Sequence, residues 1–150
     1  MAIDPTAEQA EQLMALDQSQ PVIFINCHRY FDRARYGDDY DDPALQPDVD
    51  GKTAYHRYLS RVESRFMPQV GGRFLIAGPV AVSLIGDKSW DEIVIGEYPS
   101  IAEANRMSAL PGYDEIVVHR VAGLAEVQTT ALLQKDMERL PIPGAWINRD

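Results

Sequence analysis

The sequence predicts an α+β domain: a four-stranded antiparallel sheet with helices on one face, in the order βαββαβ, preceded by an extra helix and followed by an arm. Three observations lead there. Val22–His28 and Trp90–Tyr98 read as strands, and their apolar content suits the middle of a sheet. Two other segments repeat apolar residues at helical spacing. Glycine and proline punctuate the joints between segments. The 150 residues form a single domain, with an N-terminal helix at 1–19, a core at 20–134 that includes an acidic loop at 32–50, and a C-terminal arm at 135–150.

Thr6 and Gln9 form a capping box, opening a helix over Ala7–Asp17 with Ala10, Leu13 and Met14 on one side. Pro21 precedes the first strand, Val22–His28, which is apolar on both alternating faces. Residues 32–50 hold seven Asp, two Pro and one Gly without periodicity, so they predict an irregular loop. From Asp50, the residues Tyr55, Tyr58, Leu59, Val62 and Phe66 follow one helical stripe. Pro68 bends or ends that helix, and Gly71-Gly72 supplies a left-handed stop.

The second strand runs from Arg73 through Val80–Leu84, with Gly78-Pro79 marking a bulge or an edge position. Lys88-Ser89 turns the chain into the third strand, Trp90–Tyr98. Ser100 and Glu103 predict a second capping box. Pro111-Gly112 interrupts the helix that follows, and Tyr113, Ile116, Val117 and Val121 line up on its successor. After Gly123 comes the fourth strand, Leu124–Leu133, and then a tail bearing Pro141, Pro143, Gly144 and Trp146. In this topology strands one and three are central. Helices cover one face only, so an apolar second face calls for a second subunit, and a homodimer, or a tetramer built from it, is expected.

Composition narrows the partners. Hydrophobic residues make up 45% and charged residues 25%, an ordinary globular balance. A net charge of −9 disfavours nucleic acid and anionic membranes, because both require a basic face. No apolar run is long enough to span a bilayer. Met1-Ala2-Ile3-Asp4-Pro5 lacks the basic start and apolar centre of a secretion signal. Cys27 is the only cysteine, which fits a reducing, cytoplasmic setting.

Several polar residues stand in apolar elements. Arg120 interrupts the last helical stripe; it pairs with a strand carboxylate such as Glu97 or Asp91, or it anchors a ligand carboxylate. His119, beside it, is a candidate acid–base group. Asn26 lies inside a central strand and needs partners, either backbone or substrate. Asn26, His28 and Tyr30 share one strand face, opposite Cys27 and Arg29, so Cys27 and His28 cannot form a nucleophile–base dyad. Tyr55, Tyr58 and Tyr113 pack in the core with their hydroxyls at a polar rim.

The Asp residues of the loop lack EF-hand spacing, and a solvated, mobile lid or subunit arm is the reading they support. Gln46 stands where a phosphate loop ending in Gly51-Lys52-Thr53 would need glycine. His28, His56 and His119 show no metal-ligand spacing, so neither metal nor cofactor is expected.

Val22–Arg29, Gly51–Tyr58, Gly71–Phe74, Ile85-Gly86 with Trp90-Asp91-Glu92, Tyr98-Pro99-Ser100, and Tyr113 with His119-Arg120 together resemble the domain of unknown function 1330 family. The likeness covers residues 20–134. It implies a ferredoxin-like protomer of a dimeric α/β barrel. Many members carry Arg where this chain has Ala77, so an anion site built on that Arg is not expected here. The superfamily also contains heme-degrading monooxygenases that use a strand-one Asn, a Trp and a helical His, and Asn26, Trp90 and His119 occupy similar elements.

Three functions follow as expectations. The first is a homodimeric small-molecule-binding protein, acting as a cofactor-independent enzyme on a small organic acid or polyketide-like substrate. Its pocket would be lined by Asn26, His28, Tyr58, Trp90, Met107 and Tyr113, with His119 as acid–base group and Arg120 as anion partner. The second is a non-catalytic assembly protein. The third is a heme-binding monooxygenase.

Overall fold

A computed structural model describes residues 3–42 and 44–137. Helix α1 spans Ala7–Met14 and opens on the expected capping box, with Thr6 and Gln9 satisfying each other's backbone N–H groups. It stops short of Asp17, whose carboxylate accepts from the Ser19 backbone and hydroxyl and so stabilises a turn instead.

Strand β1 is Val22–Tyr30 and α2 is Gly51–Arg61. The helix does not end at Pro68. Its path widens into a π-helical turn over Val62–Phe66 and resumes as α3, Met67–Val70. Pro68 sits in the first turn of α3, where its missing N–H leaves no bond unmade. Gly71, at φ 70°, terminates it in the left-handed conformation.

Strand β2, Arg73–Pro79, pairs with β3, Glu92–Tyr98. Two boundaries differ from expectation. The second strand ends at Pro79, and Val80–Leu84 joins a loop running to Asp91; the third begins at Glu92, leaving Trp90 in that loop. Pro79 has no N–H to continue a ladder. The apolar run beyond it is exposed, at 71% for Val82, 83% for Leu84 and 92% for Ile85.

Helix α4 is Ile101–Met107, α5 is Tyr113–Gly123, and β4 is Leu124–Leu133. Ser100 caps α4 by accepting from the Glu103 N–H, but the reciprocal half of the box is replaced by a Glu103–Arg106 ion pair at 2.8 Å. Val121 is half exposed; the buried residues of α5 are Ile116, His119, Ala122 and Gly123. The predicted tail with Trp146 lies outside the described residues.

The sheet order is β2-β3-β1-β4, antiparallel throughout, with strands one and three central as the βαββαβ order requires. The sheet of one chain is open rather than closed into a barrel. Alternation along β1 turns Val22, Phe24, Asn26, His28 and Tyr30 toward the helices. Phe66, Met67, Ile101, Leu124, Val22 and Val94 are fully buried at this helix–sheet junction. Ile23, Ile25 and Cys27 occupy the other face, where Ile25 pairs with Ile95 and Cys27 with Ile93.

Helices α2 and α5 cross at backbone contact. Gly51 donates to the Phe31 carbonyl and Phe31 to the Gly123 carbonyl, each at 2.9 Å. A methyl group on Gly51 would lie 2.7 Å from the Phe31 nitrogen, and one on Gly123 2.6 Å from the Tyr55 nitrogen. Only glycine fits at either position.

Candidate functional site

Between the sheet and the α2/α5 pair lies a cavity of about 490 Å³. The floor carries Asn26 and His28 from β1 and Thr129 from β4. The helices contribute Tyr55, Tyr58, Tyr113 and Arg120, while Asp4 and Pro5 of the N-terminal segment close part of the wall. Phe24, Val62, Phe74, Val94 and Val127 supply apolar surface.

Asn26 is satisfied within the protein. Its amide donates to the Val94 carbonyl at 3.1 Å, and its oxygen accepts from Thr129 at 2.8 Å. Arg120 pairs with neither Glu97 nor Asp91. It reaches Asp4 at 3.1 Å and donates to the Ile3 carbonyl, which ties the N-terminal segment to the cavity wall. Glu97 pairs with Arg73 instead, and Asp91 accepts from the Tyr30 N–H at 2.8 Å.

The hydroxyls of Tyr58 and Tyr113 hydrogen-bond to each other. One proton serves that bond, so the pair keeps one O–H to offer an acceptor. Burial, and then the neighbouring Tyr113, push the Tyr58 hydroxyl far above its ordinary pKa, so it stays protonated. Tyr98 is raised to about 12 by burial and donates to the Met107 sulfur at 3.9 Å.

His28 is 2% exposed. Its Nε2 lies 3.3 Å from the Tyr55 hydroxyl and its Nδ1 3.3 Å from the Tyr30 hydroxyl. Tyr30 donates to Glu92 at 2.6 Å, so its oxygen accepts from His28; Nδ1 therefore carries the proton, and Nε2 accepts from Tyr55. Burial lowers the His28 pKa to about 4 despite the attraction of Glu92, and Arg120 and His56 add to the depression. The ring is neutral near pH 7.

Glu92 is 3% exposed, with His56 Nε2 at 2.8 Å and Lys52 at 3.8 Å. Burial alone would raise its pKa. Hydrogen bonds from Tyr30 and His56 and the charges of His56 and Lys52 outweigh that, so the carboxyl lies below its usual value.

His119 and Trp90 do not line this cavity. His119 is 5% exposed and faces the acidic loop, where Nδ1 meets the Tyr36 hydroxyl at 2.8 Å and the ring packs edge-on to Tyr36 and Tyr40. Burial, with Arg61 and Arg57 nearby, lowers its pKa. The loop is thus stapled to the helices through two stacked tyrosines, where the composition had suggested a solvated lid. Trp90 lies in the loop before β3, with the Lys88 ammonium 5.6 Å from its ring. Asn26, Trp90 and His119 therefore do not converge on one site.

A family model described as a domain of unknown function, DUF1330, matches residues 44–133. The chain belongs to the DUF1330 family. The structure of this DUF1330 chain is similar to the crystal structure of RPA0582, a protein of unknown function from Rhodopseudomonas palustris. Identity is 33% over 87% of this chain and 95% of that one, with a TM-score of 0.73. The methylated form of RPA0582 gives 32% identity over 88% and 93% of the two chains and a TM-score of 0.75. No curated protein matches the chain.

In this DUF1330 chain, Asn26, His28, Tyr58, Met107, Tyr113 and Arg120 line the cavity. Sequence reasoning missed Glu92, Tyr30 as its partner, and His56. The available signal was alternation: Val94, Gly96 and Tyr98 face the helices, so Glu92, two residues before Val94, had to face them too. Among the described residues, no helix is long and apolar enough to cross a membrane, and no group of three or more His, Cys, Asp or Glu side chains could hold a metal ion.

Proposed function

We propose that this protein is a homodimeric small-molecule-binding protein whose cavity takes a small organic acid or polyketide-like molecule and acts on it with the chain's own side chains. The observation that carries the reading is the cavity itself. Its volume of about 490 Å³ lies within the roughly 300–1,000 Å³ range of small-molecule sites. Apolar walls and a few convergent polar groups are the usual makeup of such a site. Arg120 supplies an anion partner, and Asp4 occupies it as a ligand carboxylate would. The Tyr58/Tyr113 pair offers a donor to a carbonyl oxygen.

Dimerisation is supported by the far face of the sheet. Ile23, Ile25, Ile93 and Ile95 lie there, only partly buried in one chain, where a solvated antiparallel sheet would carry polar residues. A second copy of the same face would cover them.

The test combines a native mass spectrum with calorimetric titration by phenylpyruvate, which carries a carboxylate, a carbonyl and an aromatic ring. A dimer binding one molecule per protomer, with binding abolished by the space-filling Tyr58→Trp, is expected. A monomer that takes up nothing would overturn the proposal.

A further inference from the structure

Three hydrogen-bonding groups connect the cavity to the buried carboxylate, and their donors all point the same way. Tyr55 donates to His28 Nε2, His28 Nδ1 to Tyr30, and Tyr30 to Glu92. At the far end, His56 Nε2 meets the same Glu92 oxygen at 2.8 Å, and its side chain is 43% exposed. No member of the chain is needed for packing alone. Replacing Tyr30 by Phe and Glu92 by Leu together would remove the buried charge and leave only the His28 Nδ1 without its partner. A buried ionised carboxylate in their place is a costly arrangement that only a satisfied network sustains.

We propose that Tyr55–His28–Tyr30–Glu92 is a proton relay that draws a proton from a ligand in the cavity, making the site one for enolisation of small carbonyl acids. The inference rests on reading the cavity as a binding site. Arg120 takes the ligand carboxylate and the Tyr58/Tyr113 pair its carbonyl oxygen. The carbon next to the carbonyl loses its proton to the Tyr55 oxygen as Tyr55 passes its own proton to His28 Nε2. His28 gives the Nδ1 proton to Tyr30, and Tyr30 gives its proton to Glu92. The C–H electron pair becomes the enolate double bond, with the charge on the oxygen held by the tyrosine pair. Running the chain backwards returns a proton to the same or a conjugated carbon. His56 links Glu92 to solvent, so the returning proton can come from water.

The groups facing His28 set when the relay works. Tyr30 approaches from its own strand, Glu92 from β3, Tyr55 and His56 from α2, and Arg120 from α5; the residue beside it on β4 is uncharged Val127. Glu92 is the one negative charge among them. A neutral His28 and an ionised Glu92 are both required, so the relay is open at neutral pH and closes in acid.

Deuterium uptake at the benzylic carbon of phenylpyruvate, followed by NMR in D₂O on the full chain, tests the relay. Wild type should exchange faster than buffer, with the rate falling as pH drops through about 4. His28→Gln should bind phenylpyruvate and lose about 100-fold or more of the exchange. Tyr30→Phe and Glu92→Gln should bind normally but exchange roughly 10-fold or more slowly, as a misdirected imidazole does. Glu92→Gln should also move the acid limb to lower pH, because it removes the charge that favours the imidazolium. This shift would not arise from a purely structural role. Binding without exchange in wild type, or exchange indifferent to both His28→Gln and Glu92→Gln, overturns the relay and leaves the binding reading standing. Absence of binding means the cavity reading has failed, and the relay falls with it.

Discussion

Tyr30 and Glu92, 62 residues apart, share a 2.6 Å hydrogen bond inside the helix–sheet layer. Two central strands are locked through it, because β1 and β3 pair only as far as His28 and Glu92, and Tyr30 lies beyond the last rung. Tyr30→Phe removes a donor from a carboxylate that His56 and Lys52 still satisfy, and takes the acceptor from the buried His28 Nδ1–H. Glu92→Ala instead leaves the Tyr30 hydroxyl without its acceptor. The expected destabilisation is about 1–3 kcal/mol for Glu92→Ala. Urea unfolding should place both variants below wild type by comparable amounts.

Acid should weaken the fold before it protonates ordinary surface carboxylates. His28 has a folded pKa of about 4 against an ordinary 6.5, so protonation favours the unfolded chain. Its contribution is fully present above about 6.5 and is lost as pH falls toward 4. Over that window the loss amounts to about 3 kcal/mol. Glu92, with its pKa also lowered, adds a loss in the same direction at the acid end. Melting curves across the window should slope steeply in wild type and flatten in His28→Gln.

In the proposed site, Asp4 would compete with a ligand carboxylate for Arg120. It is largely exposed, and a surface ion pair contributes roughly 0–1 kcal/mol, so Asp4→Asn should leave the melting temperature almost unchanged. Calorimetry should show phenylpyruvate binding several-fold more tightly to Asp4→Asn than to wild type, and more weakly to Arg120→Gln.

A charge in the centre of the outer sheet face should prevent association. Ile95 pairs with Ile25 on one side and Ile76 on the other, so Ile95→Asp places a carboxylate amid three strands of apolar surface. Light scattering behind a sizing column should report a dimer for wild type and a monomer for Ile95→Asp. A wild-type monomer would remove the reason for the apolar face proposed above.

Local signals carried most of the fold. The Thr6/Gln9 box, the Tyr55–Phe66 stripe and the left-handed Gly71 each depend on residues a few positions apart, and each is present. Errors arose where apolarity or spacing had another cause. The run Val80–Leu84 looks like strand but lies exposed beyond Pro79. Arg120 found its partner in Asp4, 116 positions away, which no periodicity encodes. His119 sits beside the cavity-facing residues in sequence, but helical geometry turns it toward Tyr36 and Tyr40 of the loop. His28 and Tyr30 were legible together on one strand face. Their continuation to Glu92 depends on strand pairing, and that to His56 on the packing of α2 against it.

The glycine crossing of α2 and α5 lies at one end of the helix pair, and the Tyr58/Tyr113 contact lies toward the other, near the π-helical turn. Such a pair is built like a clothes-peg. Its spring end is two backbones in contact, with no side chains to slide; its jaws are two tyrosines joined by a single bond. A ligand that parted those hydroxyls would widen the jaws without disturbing the spring, and guests of different girth would then be held about one common fulcrum.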